Sequence, residues 1–253
     1  MAGALRLLAP YGGRAMLDET GGAIHTRNAF AALVGRVHGA LVREEVFGLR
    51  RTGTDRVEVR TQRGLHTHDH AVVCAGTGTR SLAGGLGVTI GMRVAMLVRL
   101  TFAVRGEPPA ALPTLQDSSG AFGERGAYAT PYPGNAHYSV GLSDDVDLTA
   151  PGGAEQLAAL TERTRRYAET ALPGLDPTPV GYVHCRITEL PWHPDGCAVW
   201  QAGPVTMIAG HNLFKQAPAL GQDLAEIALG APVSPHLGPE AQLGAPQQDG
   251  EEG

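Results

Sequence analysis

A single lysine lies between a predicted buried strand and a predicted helix. The apolar run 205–209 indicates a strand buried on both faces, and Pro218 fits the first turn of a helix over 218–229. Lys215 lies just before that helix N-terminus, where free backbone N–H groups favour negative charge. It is the only lysine in the chain, and the other nineteen cationic side chains are arginines. Because an ammonium is a compact point charge, we expect Lys215 to bind an anionic group; the alternative is an ordinary solvated lysine.

Three alternating histidines form a second group of candidate ligands. His66, His68 and His70 would share one face of a β-strand and could hold a metal ion. No carboxylate or cysteine partner is obvious nearby, which favours a solvated hairpin edge instead. The sequence therefore predicts no metal site at these histidines.

A glycine-rich segment, 76–81, follows a predicted buried strand over 71–76. It reads Gly-Thr-Gly-Thr-Arg-Ser and matches the start of a dinucleotide fingerprint. The acidic residue expected about 20 positions later is absent from 96–102. Because glycines let a ligand come close to the backbone, we still expect this segment to approach a phosphate or ribityl chain.

The elements that would position these residues are a mixture of helices and short strands. Apolar residues recur at helical spacing over 30–41 and over 154–172, where Pro173 ends the second helix. Several short strands adjoin one another along the chain, which favours an antiparallel sheet. Large apolar side chains become rare after residue 230, and 231–253 is predicted to be disordered. The predicted strands include 93–104, 127–131, 137–142, 180–187 and 198–200.

Composition limits the classes of partner. The chain has 253 residues, 43% of them hydrophobic, which is enough for one large domain or two modest ones. A net charge of −5 argues against nucleic acid or an anionic membrane as the main partner. No apolar run approaches the length of a membrane span, and three scattered cysteines make no disulfide framework. We therefore expect a cytoplasmic protein.

Several motifs together resemble one family. In order, they are Gly22-Ala-Ile-His-Thr-Arg27 before a helix, Val72-Val-Cys-Ala-Gly76 with Thr77, Tyr128-Ala-Thr-Pro131, Val140-Gly-Leu142, Cys185-Arg-Ile-Thr188 and Gly210-His-Asn-Leu-Phe-Lys215. Their order and spacing resemble the FAD-dependent amine and amino-acid oxidoreductases of the sarcosine oxidase and N-methyltryptophan oxidase type, in the D-amino-acid oxidase superfamily. The resemblance covers about residues 15–230.

The resemblance implies an α/β (α+β) fold with a truncated FAD-binding domain and an antiparallel-sheet substrate domain. The G-x-G-x-x-G βαβ unit of this family, at least about 30 residues long, has no counterpart here. We therefore expect a fragment, a late start or a natural remnant, and weak binding of FAD, the implied cofactor, by this chain alone. A partner chain could supply the missing unit. The implied limits are 1–87 for the remnant of the FAD-binding domain, 88–190 for the substrate domain, 191–230 for a return segment and 231–253 for the tail.

The resemblance also assigns roles to individual residues. Cys185 falls where relatives attach FAD through sulfur; a buried packing role is the alternative. Tyr128 is implied at the substrate, or else it is a core aromatic. Lys215 is implied as the partner of a substrate carboxylate. The remaining assignments are Val46 at the adenine end, Ala75, Gly76 and Thr77 as backbone near the flavin, and Gly210, His211 and Phe214 around its ring.

The implied reaction is oxidation of a C–N bond in an amino acid or a secondary amine. In sarcosine oxidase-like members, a lysine in the strand aligned with 137–142 assists reaction with oxygen. In this chain, Ser139 stands nearest to the position of that lysine. This departure favours a dehydrogenase, or a weakened or inactive enzyme, over an efficient oxidase. Two alternatives stay open: a non-catalytic remnant that acts as a binding or interaction module, and one half of a split flavoenzyme.

Overall fold

The computed structural model describes residues 7–147 and 149–245. The described chain divides into two compact units. Unit 1 combines Met1–Leu41 with Ala95–Arg186, and unit 2 combines Val42–Val94 with Ile187–Gly253. The helices are α1 (Thr26–Val37), α2 (Thr79–Gly84), α3 (Gly153–Ala171) and α4 (Ala217–Ala228). The strands are β1 (Val46–Thr52), β2 (Arg56–Thr61), β3 (Gly64–His68), β4 (Ala71–Val73), β5 (Arg93–Val104), β6 (Leu115–Asp117), β7 (Ala127–Pro131), β8 (His137–Leu142), β9 (Leu175–Glu189), β10 (Cys197–Gln201) and β11 (Val205–Gly210).

Unit 1 is built on a five-stranded sheet with the strand order β6-β7-β8-β5-β9. The pairs β6–β7, β7–β8 and β5–β8 are antiparallel. Leu100, Phe102 and Val140 are fully buried on one face of this sheet, in a cluster that also contains Leu160 and Tyr167 of α3. Because side chains alternate along a strand, the residues between these buried ones point to the opposite face. That opposite face carries the polar side chains of unit 1 described below.

Unit 2 contains two three-stranded sheets. One has the order β1-β2-β3 and is antiparallel throughout. The other has the order β10-β11-β4, in which β11 pairs antiparallel with β10 and parallel with β4. Helix α4 buries Leu220, Leu224 and Ile227 in a cluster with Val199 and Ile208. Among the described residues, no helix combines the length and hydrophobicity that crossing a bilayer requires.

The strongest periodic patterns predict their elements well. Strands β5, β7 and β8 have the predicted limits, and α3 and α4 each differ from the prediction by one residue at both ends. The mixed fold with an antiparallel sheet is confirmed. The predicted buried strand over 71–76 is shorter: β4 ends at Val73, and Val72 is 39% exposed. The cause is its edge position, since β4 pairs with β11 alone.

The two ends of the described chain differ from the predictions. Residues 7–41 cluster with the five-stranded sheet and not with the rest of the predicted 1–87 segment. After residue 230, Leu237 is buried, and its carbonyl accepts a 2.7 Å bond from the N–H of Val199. The expected disorder therefore does not hold over 231–245, because these few apolar groups cover α4 and β10; residues 246–253 lie outside the described part of the chain.

Candidate functional site

The two glycine-containing segments singled out in the sequence meet at one edge of a sheet in unit 2. Strands β4 and β11 are parallel, with Val73 paired to Met207, so their carboxyl ends lie at the same edge. Residues 75–77 follow β4 and residues 211–215 follow β11. The Thr79 hydroxyl, 3.5 Å from the Ile208 carbonyl oxygen, links the start of α2 to β11. Ligands of open α/β sheets commonly bind at such carboxyl ends.

Gly210 marks the exit of β11 and is the most tightly surrounded of the predicted residues. A Cβ there would lie 2.5 Å from the Gly196 carbonyl oxygen and 2.6 Å from the Cys197 Cβ, at a φ of +154°. The carbonyl oxygen of Gly210 accepts a 2.6 Å hydrogen bond from the Thr188 hydroxyl. Packing therefore requires glycine at position 210. The hydrogen bond from Thr188 fixes the direction in which the following loop leaves the sheet.

The loop that follows holds a histidine against a carboxylate. Nδ1 of His211 is buried and has no hydrogen-bond partner among the described residues, although Oδ1 of Asp195 is 3.5 Å away. The amide of Asn212 lies 3.4 Å from the same carboxylate oxygen. Asn212 adopts the left-handed conformation, with a φ of 60°, which asparagine tolerates better than most residues. Asp195 therefore orients the turn that begins at His211.

Phe214 and Lys215 lie in a short 3₁₀ turn, Leu213–Lys215, immediately before α4. Both side chains are exposed, and Phe214 is 43% exposed. Lys215 has no carboxylate partner in the described ranges 7–147 and 149–245. Pro218 lies in the first turn of α4, as predicted. The turn therefore presents an uncompensated ammonium to solvent beside a helix N-terminus.

The segment after β4 forms a 3₁₀ turn over Gly76–Gly78, and α2 then begins at Thr79. Ala75, Gly76 and Thr77 are exposed, and nothing lies within 4 Å of where a Cβ of Gly76 would stand. The backbone here is open to a ligand, but α2 has only six residues and offers little helix dipole. Val46 is the first residue of β1, in the other sheet of unit 2, and is 39% exposed.

In unit 1, Tyr128 and Cys185 lie on the same sheet, and an arginine connects them. Tyr128 is paired with Gly141, and Gly141 with Arg99. The Nη2 group of Arg99 donates to Sγ of Cys185 at 3.5 Å. Burial raises the pKa of Tyr128, an effect that the Arg99 guanidinium opposes. A phenol with a raised pKa stays protonated at neutral pH and can donate a hydrogen bond.

Sequence reasoning missed several residues that shape these two regions. Arg99 interrupts the apolar run of β5, and a charge at an otherwise apolar strand position was the available signal. Asp195 acts through a tertiary contact that spans 17 positions, so no local pattern marks it. Thr188 ends the motif Cys185–Thr188, but its contact with Gly210, 22 positions away, does not follow from that motif.

A cavity of about 470 Å³ in unit 2 has Arg93, Glu189 and Trp192 in its lining, and no predicted site residue borders it. Arg93 and Glu189 are ion-paired there. The predicted histidines are dispersed: β3 ends at His68, and a ring nitrogen of His70 is 2.9 Å from the Thr206 hydroxyl. Within the described residues, no group of three histidine, cysteine, aspartate or glutamate side chains is placed to hold a metal ion.

Comparison with known families gives a match over most of the chain. The family model described as DAO, FAD dependent oxidoreductase, matches residues 2–227. No curated protein matches the chain significantly.

Solved structures of similar fold include, by their descriptions, two oxidases and a dehydrogenase. NikD, described as an unusual amino acid oxidase essential for nikkomycin biosynthesis, has a TM-score of 0.70 and 21% identity, over 87% of this chain and 60% of its own. L-proline dehydrogenase from P. horikoshii has a TM-score of 0.60 and 15% identity, over 83% of this chain and 57% of its own. Iminodiacetate oxidase from Chelativorans sp. BNC1 has a TM-score of 0.56 and 19% identity, over 82% of this chain and 56% of its own. The chain thus spans about three fifths of the length of these structures.

Proposed function

The chain belongs to the family of FAD dependent oxidoreductases described as DAO, and from this premise we propose that it oxidises a C–N bond of an amino acid or a secondary amine. The likeness in fold to NikD, described as an amino acid oxidase, supports an amino-acid substrate. The observation that carries the proposal is Lys215, an exposed ammonium without a carboxylate partner among the described residues, in the turn between β11 and α4.

Lys215 is proposed to bind the substrate carboxylate. A charge-assisted hydrogen bond of this kind is worth about 1.5–3 kcal/mol, because one partner or both carry a full charge. Lys215, the last residue of the turn Leu213–Lys215, lies two positions before Ala217, the first residue of α4. Free N–H groups at a helix N-terminus favour negative charge in the same place. Tyr128, whose hydroxyl stays protonated, is proposed as a donor to the substrate.

When bound, FAD, the cofactor of the family, would supply the acceptor for the hydride equivalent that leaves the carbon of the C–N bond, and the resulting imine would hydrolyse in water. Part of the chain fits this group. The exposed backbone of Ala75–Thr77, with open space above Gly76, can approach it closely. Gly210, His211 and Phe214, at the same sheet edge, are proposed to border its ring, and Val46 its adenine end. Cys185, half-buried beside Arg99, is proposed as the point of covalent attachment.

Ser139, which stands nearest to the position where sarcosine oxidase-like members carry a lysine, supports a dehydrogenase over an efficient oxidase. Ser139 is 4% exposed and lies in the middle of β8, paired with Thr101 and Thr130. A neutral hydroxyl at this position offers no cation to stabilise reduced oxygen species. We therefore expect turnover with an artificial electron acceptor to exceed turnover with oxygen.

The test is steady-state oxidation of amino acids and secondary amines by the chain loaded with FAD, with an artificial acceptor and with oxygen in parallel. Turnover that requires FAD, and that is faster with the acceptor, supports the proposal. Absence of turnover in a form that contains one FAD per chain contradicts it.

A second candidate function is one half of a split flavoenzyme that binds a partner chain carrying a nucleotide-binding unit. The observation that favours it is α1, which has no buried residue. Phe30, Leu33 and Val37 are 65%, 59% and 54% exposed and recur at helical spacing on one face of α1. A continuous exposed apolar stripe of this kind is typical of a protein–protein contact surface.

The surface gives this second candidate its own test. A βαβ unit with the G-x-G-x-x-G fingerprint, produced as a separate polypeptide, should bind the chain and raise its FAD content. Phe30→Glu should abolish that binding, whereas Arg27→Glu at an exposed position near the start of α1 is the matched control. Equal binding by both variants would contradict the assignment of this face.

A further inference from the structure

Strand β9 forms one edge of the five-stranded sheet in unit 1. It is the last strand in the order β6-β7-β8-β5-β9, so β5 alone pairs with it among the described residues. The strand is fifteen residues long, whereas strands of about 5–6 residues are usual. The unpaired N–H and C=O groups of such an edge are a template on which another strand can add.

The exposed side chains of β9 share one face of the strand. Exposure alternates from 176 to 186, where every even-numbered residue is exposed and every odd-numbered one is half-buried. Val180 and Tyr182 are 59% and 62% exposed. Because β-branched and aromatic side chains stabilise strands by packing against neighbours, this pair is typical of a sheet surface that continues across the edge.

Two prolines indicate which backbone groups of β9 point away from β5. Pro177 and Pro179 have no N–H, and within an edge strand proline occurs where the N–H side faces solvent. Backbone N–H groups alternate in direction along a strand, so those of the odd-numbered Gly181 and Val183 also point outward. They are available to a strand that adds to this edge.

Gly181, near the middle of β9, is not explained by packing inside unit 1. A Cβ there would lie 3.5 Å from Cβ of Thr101, which is an ordinary van der Waals contact. A glycine weakens the interior of a strand and often marks the close approach of another backbone. The outer edge of β9 is where another backbone can approach Gly181.

The sequence of β9 is self-complementary about Gly181. Antiparallel pairing with a second copy about a twofold axis at this residue sets Asp176 opposite Arg186. It also sets Val180 opposite Tyr182. Opposite charges and pairs of an aromatic with a β-branched side chain both stabilise antiparallel strands. Any shift of the axis along the strand separates the two charges, so they select this register.

The same register is compatible with the two prolines. It sets Pro179 opposite Val183 of the second copy and Pro177 opposite Cys185 of the second copy. Each proline carbonyl can accept the N–H of the residue opposite to it. Gly181 can exchange both of its backbone hydrogen bonds with Gly181 of the second copy. The prolines thus reduce the number of hydrogen bonds between the strands but leave an acceptor in every pair.

We propose that β9 pairs with β9 of a second copy of this chain, antiparallel and about a twofold axis at Gly181, so that two five-stranded sheets become one. The charges of Asp176 and Arg186 favour a second copy over an unrelated strand, because self-pairing satisfies both of them twice. Arg186 makes no ion pair in the part of the chain that the structure describes. This assembly goes beyond the proposed oxidation and does not depend on it.

Sedimentation velocity of the purified chain, at concentrations through the micromolar range, measures the pairing. We expect a reversible equilibrium between monomer and dimer. Asp176→Arg and Arg186→Asp each place like charges opposite one another twice in the dimer. Each should raise Kd about tenfold or more, which corresponds to about 1.4 kcal/mol. Arg36→Asp is the matched control, because it makes the same change of charge at an exposed position of α1 and should leave Kd unchanged.

A mixture of the two charge variants identifies both the occupant and the register. In a mixed pair, Asp176→Arg supplies two cations opposite the two carboxylates that Arg186→Asp supplies. The mixture should therefore form a dimer about as tightly as the parent chain, although each variant alone does not. Thermal unfolding of each variant shows that it is folded.

Hydrogen exchange, followed by mass spectrometry, reports on the backbone of the edge. The N–H groups of Gly181 and Val183 should exchange more slowly as the dimer forms. Those of β3, an edge strand of unit 2, should exchange at an unchanged rate.

Several outcomes would overturn the proposal. One is a chain that stays monomeric through the micromolar range. Another is a dimer whose Kd neither charge variant changes, because its contact then lies on another surface. A mixture that associates no more tightly than either variant alone would reject the register about Gly181. Dimer formation without slower exchange at Gly181 and Val183 would show that β9 is not paired.

Discussion

Replacement of Gly210 by alanine should destabilise unit 2 through steric crowding at the exit of β11. The new Cβ would lie 2.5 Å from the Gly196 carbonyl oxygen and 2.6 Å from the Cys197 Cβ, both of which belong to the neighbouring strand region. Overpacking of this kind costs about 1–3 kcal/mol. A side chain at a φ of +154° adds strain, typically about 1–3 kcal/mol at such backbone positions. We therefore expect a loss of about 2–6 kcal/mol in the free energy of unfolding.

Thermal unfolding measures this loss. A decrease of about 3 kcal/mol lowers Tm by about 6–12 °C in a chain of this size. Gly221→Ala is the matched control, since Gly221 lies inside α4 with nothing within 4 Å of its would-be Cβ. Alanine there should stabilise by about 0.5–1 kcal/mol, because glycine is a poor helix former. If Gly210→Ala unfolds at the wild-type temperature, the crowding at the β11 exit, and the fixed direction of the loop after it, would be refuted.

The remaining predictions concern the cofactor and the substrate. Lys215→Ala should lower kcat/KM for carboxylate-bearing substrates about ten- to a hundredfold, because an interaction of about 1.5–3 kcal/mol is lost. Lys215→Arg should also have a lower kcat/KM, because the planar guanidinium is broader than an ammonium. Full activity of Lys215→Ala in steady-state kinetics would contradict this role. Without an upstream βαβ unit the chain should bind less than one equivalent of FAD, and a stably yellow, stoichiometric protein would contradict that. With such a unit added, acid-precipitated protein should retain FAD on the Cys185 peptide and lose it in Cys185→Ser; complete release from the parent protein would assign Cys185 to packing.

The sequence predicted those helices and strands whose residue types follow a clear local pattern. The run of β-forming residues over 93–104 and the turn at 132–135 led to β5, β7 and β8 with their true limits. Helical spacing led to α3, and Pro218 after the apolar run and Gly210 led to α4; the apolar faces of both helices are buried. The same reasoning predicted a helix over 30–41, whereas α1 ends at Val37, and it could not show that the apolar face is exposed, because exposure depends on what packs against it.

The site was predictable only where backbone chemistry determines it. Gly210 and the turn before α4 follow from a strand, a glycine and a proline in sequence. The pairing of Tyr128, Gly141 and Arg99 depends on the register of three strands, of which β5 is separated from β7 in the chain by β6. Likewise, Asp195 reaches Asn212, and Thr188 reaches the Gly210 carbonyl, across loops whose geometry no local propensity specifies.

Anaerobic reduction of bound FAD tests the central claim most directly. The chain, loaded with FAD after addition of a nucleotide-binding βαβ unit, is mixed without oxygen with an amino acid or a secondary amine, and the visible absorbance of oxidised flavin is followed. Oxidation of a C–N bond predicts that this band bleaches, that a carbonyl product forms in equal amount, and that Lys215→Ala slows the bleaching. A fully loaded protein whose flavin stays oxidised with every carboxylate-bearing amine would contradict the account.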